Sequence, residues 1–146
     1  MSAEGLVLIG RMGWTAIQTA GWRPVAVGGL TMGADPVAYA IAAASFSGKH
    51  PVNAFSVRKQ SKDHGTGRLI EGNFQSGDRV VVVEDVITSG DSAAQAISTV
   101  NQAGGNVLGI LAVVDREEGG RRALEAGGHS VLTLTTIGEL GLGGLT

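Results

Sequence analysis

The chain reads as a single α/β domain built on an open, mostly parallel, doubly wound sheet. Three observations lead there. Apolar runs alternate with helical stretches along the 146 residues, the order expected of strands joined by crossover helices. Several runs are almost continuous valine, isoleucine and leucine, as in strands covered on both faces. The chain also holds 24 glycines against only 3 prolines, a balance that favours tight strand-to-helix turns over a flexible linker.

Taken in order, the first helix is expected over Arg11–Ala20, ended by Gly21, and the first strand over Pro24–Gly28. Asp35 reads as an N-cap with Pro36 at the first helical position, opening a helix over Pro36–Ser45. A strand follows at Val52–Val57, then a polar segment, Arg58–Arg68, without periodicity; loops of this length in compact domains are often functional. The next strand, Arg79–Glu84, feeds a helix over Ser92–Ala103 with Ser89 or Asp91 as its N-cap. Val107–Asp115 and Ser130–Thr136 are strands on either side of a helix at Glu117–Ala126. Gly104 and Gly127 stand where glycine commonly closes a helix. Residues 1–146 show no repeat and no internal boundary, and the glycine-rich stretch from Gly138 to Thr146 is expected to fray.

Composition removes several function classes. With 43% hydrophobic and 16% charged residues the chain is not disordered. A net charge of −2 provides no basic field for nucleic acid. The absence of cysteine removes disulfides, thiolate metal sites and cysteine nucleophiles together. No apolar run approaches the roughly 20 residues of a membrane span, and Leu6–Ile9 is too brief for a signal-peptide core. The expectation is a cytoplasmic protein with neither nucleic acid nor membrane as partner.

The segment Val80-Val81-Val82-Val83-Glu84-Asp85, continuing through Thr88-Ser89-Gly90-Asp91-Ser92 into a helix, is the strongest local signal. One reading is a strand followed by a capped helix. The other is an anion site, because such a turn presents backbone N–H groups at a helix N-terminus, with Thr88, Ser89 and Ser92 adding hydroxyls. Paired carboxylates directly after four valines favour the second, since buried strands rarely end in unused charge. Glu84 and Asp85 repel phosphate but suit sugar hydroxyls, and as neighbours on a strand they face opposite sides. Acids for hydroxyls beside a turn for phosphate describe a ribose-5-phosphate pocket. The turn is not a Walker loop, whose spacing and lysine are missing.

A second signal is Arg58-Lys59-Gln60-Ser61-Lys62-Asp63-His64-Gly65. Residues 58–68 carry a net +3, which leaves −5 for the remainder of the chain. A solvated charged loop would explain this alone; a cationic loop on an acidic protein also suits recruitment of a polyanion.

The strand-end Glu84-Asp85 and turn Thr88–Ser92 resemble the phosphoribosyl-pyrophosphate (PRPP) signature of type I phosphoribosyltransferases, and the loop resembles that of orotate phosphoribosyltransferases. Two further matches are Val114-Asp115-Arg116-Glu117-Glu118-Gly119-Gly120 and the turn Gly28–Pro36. The likeness runs from about Leu6 to Leu140. It implies a type I phosphoribosyltransferase fold and transfer of phosphoribosyl from PRPP to orotate, with pyrophosphate leaving. It further implies PRPP contacts from Glu84, Asp85, Thr88, Ser89, Gly90, Asp91 and Ser92, and diphosphate contacts from Thr31, Met32 and Gly33. Orotate contacts fall to Arg116 and Thr88. Lys62 is the first candidate for catalytic cation, with Lys59 and Arg58 beside it and His64 to orient the loop or donate a proton. Mg2+ is expected to ride on PRPP with no direct protein ligand, and the chain to form a homodimer whose loop reaches the neighbouring site. Transfer to another base, or PRPP binding without catalysis, are the alternatives. Family members often carry a lysine where Gly33 stands, and usually a longer N-terminal region over the base, which has no counterpart here.

Overall fold

The computed structural model describes residues 1–60 and 68–141. Ten elements follow one another: α1 (Ala3–Thr19), β1 (Ala26–Leu30), α2 (Ala34–Ser45), β2 (Asn53–Val57), β3 (Ile70–Gly72), β4 (Arg79–Ile87), α3 (Asp91–Gln102), β5 (Asn106–Asp115), α4 (Gly120–Ala126) and β6 (Val131–Thr136). The strands form one sheet in the order β3-β2-β1-β4-β5-β6. All neighbours are parallel except β2 and β3, which pair antiparallel through Phe55–Gly72 and Val57–Ile70. The doubly wound α/β fold expected from the apolar runs is the fold observed.

β4 is the axis of the core. Val80, Val81, Val82 and Val83 are fully buried, and alternation along the strand sends them to opposite faces. Val80 and Val82 pack with Ala96, Ile97 and Val100 of α3, and Val81 and Val83 with Ile17 of α1 and Val37 and Ile41 of α2. Each buried valine contributes about 2 kcal/mol relative to exposure.

The chain leaves β1 toward β2 but returns to place β4 on the other flank of β1. Crossovers therefore diverge between β1 and β4, and a crevice opens outside their carboxyl ends, where ligands of open α/β sheets bind. The turn after β1 and the turn after β4 both border it.

Several boundaries differ from the sequence reading. α1 begins at Ala3, eight residues earlier than expected, with the Ser2 hydroxyl accepting from Gly5 N at 3.0 Å. The short edge strand β3 was not anticipated. Gly33, not Asp35, holds the N-cap of α2; Asp35 and Pro36 lie within its first turn. The Asp35 carboxylate instead accepts from Thr31 Oγ1 at 2.7 Å and Ser56 Oγ at 2.8 Å, tying the turn after β1 to β2. Gly90 is the N-cap of α3, in place of Ser89 or Asp91. α4 starts at Gly120 because Glu117 and Gly119 adopt left-handed backbone, with φ of 60° and 94°, which no helix continues. Gly127 is the final cap of α4 with a negative φ of −76°, and the left-handed closing glycine is Gly128. Bonds from Ile137 N to Asp115 O and from Gly141 N to Gly138 O hold the chain through Gly141, and residues 142–146 lie outside the described ones.

Candidate active site

β4 delivers Glu84 and Asp85 to the crevice on opposite faces, as their adjacency requires. Glu84 is buried and turns toward the α3 side, where it opens onto a hollow of about 30 Å³ enclosed with turn residues 86–93. Its Oε1 is buried without a hydrogen-bond partner among the described residues. Burial, reinforced by the neighbouring Asp85 charge, pushes the Glu84 carboxyl up from 4.5 to about 7. An acceptor held dry and unpartnered is poised for a ligand donor such as a hydroxyl.

Asp85 lies on the α2 side, against Gly33. A Cβ at position 33 would stand 2.8 Å from Asp85 Oδ1, so a side chain there would displace the carboxylate. Asp85 also accepts from Val86 N at 2.8 Å.

The turn that follows is built to leave donors free. Gly90 takes φ 87° at the N-cap of α3 and, like any glycine, offers no side chain to satisfy the first amides. Ser89 Oγ accepts from Asp91 N at 3.3 Å, while the amides of Ser89, Gly90, Ser92 and Ala93 make no hydrogen bond to a described residue. Thr88, Ser89 and Ser92 are exposed around them. Asp91, in the first turn of α3, is exposed and does not cap. Free amides, hydroxyls and the helix dipole converge as an anion cradle.

α4 braces the cradle from behind. Gly120 N donates to Thr88 O at 3.0 Å, and a Cβ on Gly120 would come within 2.7 Å of Gly90 N. Arg116 N donates to Ile87 O at 3.0 Å, which brings Arg116 to the same sheet edge directly after β5. Its guanidinium pairs loosely with Glu118 at 3.4 Å, both half exposed. The buried Asp115 carboxylate accepts from Glu117 N at 2.9 Å and steadies that corner.

Thr31, Met32 and Gly33 border the crevice from the β1 side, Met32 being exposed and Thr31 N held by Val57 O at 2.8 Å. Arg58 and Lys59 stand at the foot of the cationic segment. Arg58 pairs with Glu71 of β3 at 2.8 Å, so part of its charge is spent across that hairpin. The Lys59 carbonyl accepts from Gln95 Nε2 of α3 at 3.0 Å. Lys62 and His64 lie outside the described residues. Among the described residues no three acidic or histidine side chains gather as a metal site. None of their helices is long and apolar enough to cross a membrane.

Sequence reasoning read Asp35 as a helix cap and Asp115 and Gly120 only as members of the Val114–Gly120 motif, and did not single out Glu71 or Gln95. The double glycine after Arg116-Glu117-Glu118 was a usable signal for Gly120; nothing in the chain marks Gln95 among the polar residues of an exposed helix face.

The family model for the phosphoribosyl transferase domain matches residues 3–126. Orotate phosphoribosyltransferase of Aquifex aeolicus is 46% identical over 137 residues, 94% of this chain and 74% of that protein. The chain belongs to the orotate phosphoribosyltransferase family. Another member, from Mycobacterium avium, is 50% identical over 125 residues, covering 86% of this chain and 68% of its own. The crystal structure of Mycobacterium tuberculosis orotate phosphoribosyltransferase in complex with PRPP superposes with a TM-score of 0.80 at 42% identity, covering 92% of this chain and 75% of that one. The phosphoribosyltransferase fold and family expected from the Glu84–Ser92 signature are thereby established.

Proposed function

We propose that the chain transfers the phosphoribosyl group of PRPP to orotate, releasing pyrophosphate and forming orotidine 5′-monophosphate. The observation that carries this reading is the pairing of the unpartnered Glu84 carboxylate with the free amides of the turn that follows it. One accepts from ribose hydroxyls; the other receives the 5-phosphate. Few other ligands need both within one strand-to-helix turn.

In this reading orotate N1 attacks the anomeric carbon as the bond to the diphosphate oxygen breaks, through an oxocarbenium-like state, and the N1 proton passes to solvent. The leaving electrons stay on the diphosphate. Rate enhancement comes from holding sugar and base in line and from neutralising the departing charge. Glu84 and Asp85 fix the ribose. Thr88–Ser92 hold the 5-phosphate, with Asp91 contributing its backbone rather than its carboxylate. Thr31, Met32 and Gly33 approach the diphosphate through their backbone. Arg116 meets the orotate carboxylate in this reading, with Thr88 beside the base. Lys59 and Lys62 supply the cationic field, His64 assists within the same loop, and Arg58 acts mainly through its pair with Glu71. Mg2+ carried by PRPP would supply charge neutralisation on the diphosphate, with no direct ligand from the protein.

Exposed Leu8 and Met12 on α1, with Tyr39 and Phe46 on and after α2, are apolar surface that a homodimer would cover; a loop serving the neighbouring crevice rests on the family resemblance. A cytoplasmic setting suits substrates whose charge keeps them from crossing a bilayer. The direct assay is loss of orotate absorbance on mixing with PRPP and Mg2+. Turnover that requires all three supports the reading; turnover with adenine or uracil in place of orotate would reassign the base, and no turnover with any base would reject catalysis.

A further inference from the structure

A large cavity lies at the other end of the sheet. It encloses about 740 Å³ below the amino ends of β1, β2 and β4, with Trp14, Trp22, Arg23, Lys49, His50 and Arg79 in its wall. Along β4, eight residue steps of about 3.3 Å separate Arg79 from Ile87, so the cavity stands roughly 25 Å from the phosphate turn. No single small ligand bridges the two.

Its charge is one-sided. Arg23, Lys49 and Arg79 bring three fixed cations, and no acidic residue lines the cavity. None of the three forms an ion pair with a described residue. On a chain of net charge −2 this is a local concentration of unbalanced positive charge. Arg79 is set in place by its Nε donating to the Arg23 carbonyl at 3.1 Å, which draws the two arginines to one rim.

The walls are aromatic as well. Trp22 follows the left-handed Gly21 that ends α1 and lies against the backbone of β5, where a Cβ on Gly109 would stand 2.3 Å from its ring. Trp14, about two turns earlier on α1, packs into the same cluster. Both rings are half-buried, and neither indole N–H bonds to a described residue. Flat apolar walls, a few converging cations and a volume within the range of small-molecule sites define a ligand class.

We propose that this cavity is a second binding site, for an aromatic ring carrying a phosphate, that is, a nucleoside monophosphate. The ring lies against the tryptophans and the phosphate meets Arg23, Lys49 and Arg79. The proposal does not depend on the transferase reading.

Trp14 and Trp22 are the only two tryptophans of the chain, so intrinsic fluorescence reports this cavity and not the crevice. Adenosine 5′-monophosphate is titrated with PRPP and Mg2+ present to occupy the other end, beside separate titrations with adenosine and with inorganic phosphate. Saturable quenching is expected with a midpoint below about 1 mM, and Arg23→Ala and Lys49→Ala should each weaken it about tenfold. Adenosine and phosphate alone should each bind at least about tenfold more weakly. Both substituted side chains are exposed, so unchanged thermal melting and unchanged PRPP affinity are expected of the variants. No saturable quenching up to about 5 mM, or quenching indifferent to both variants, overturns the site. Phosphate alone binding as tightly as the nucleotide leaves an adventitious ion only and overturns it equally.

Discussion

Glu84 is held in a state that folding disfavours and a ligand would relieve, and this can be measured. Its carboxyl is raised from 4.5 to about 7 by burial first and by Asp85 second. For an acid raised on folding, the native state retains its proton while the unfolded chain releases it, so stability falls as pH climbs between 4.5 and about 7 and is level above. A gap of that size, at about 1.4 kcal/mol per pH unit, amounts to at most about 3 kcal/mol. Glu84→Gln removes the ionisation. Any cost of burying the amide is independent of pH, so the diagnostic is the change in the difference between the two proteins. Urea denaturation at pH 5 and pH 8 should show the variant gaining up to about 3 kcal/mol on the wild type between the two. A difference that does not move with pH would mean the carboxyl is not desolvated as described, and the reasoning about its unpartnered oxygen would fall with it.

Other expectations are as direct. Gly120→Ala drives a methyl into Thr88 O and Gly90 N, and should lower stability by about 1–3 kcal/mol while weakening PRPP binding; unchanged calorimetric affinity would separate α4 from the cradle. Lys62→Ala should reduce turnover by roughly 10²–10³, the range for loss of one preorganised charge, and a loss under about threefold removes it from the mechanism. Mixing Lys62→Ala chains with Asp85→Asn chains should regenerate intact sites if loops act across a dimer, whereas no recovered activity after confirmed exchange assigns each loop to its own crevice.

What could be read from the sequence, and what could not, divides along a physical line. The β4 valines, the strand-end acids and the Thr88–Ser92 turn are local and contiguous, so their order in the chain already dictates strand, edge and anion cradle. The early start of α1 was hidden because Gly5 and Gly10 lower helix propensity, yet Gly10, with Gly13 further along, is where α2 presses closest. A Cβ on Gly10 would lie 2.4 Å from Ala40 O, and one on Gly13 would lie 2.8 Å from Ile41 Cδ1. Packing overrides propensity there. β3 is three residues long, too short to display a period, and exists through its pairing with β2. Asp35 has the composition of a cap but finds better donors in Thr31 and Ser56, the latter 21 residues away. The pairing of Arg58 with Glu71 is likewise made by the hairpin, and no local pattern announces it.

The claim on which the rest stands is that a sugar phosphate spans the edge of the sheet between the β4 acids and the start of α3. A crystal structure of the protein with PRPP and Mg2+ examines it most directly. The account predicts ribose hydroxyls on the Glu84 and Asp85 carboxylates and 5-phosphate oxygens about 3 Å from the amides of residues 89–93. Phosphate density elsewhere, with those amides facing solvent alone, would contradict it.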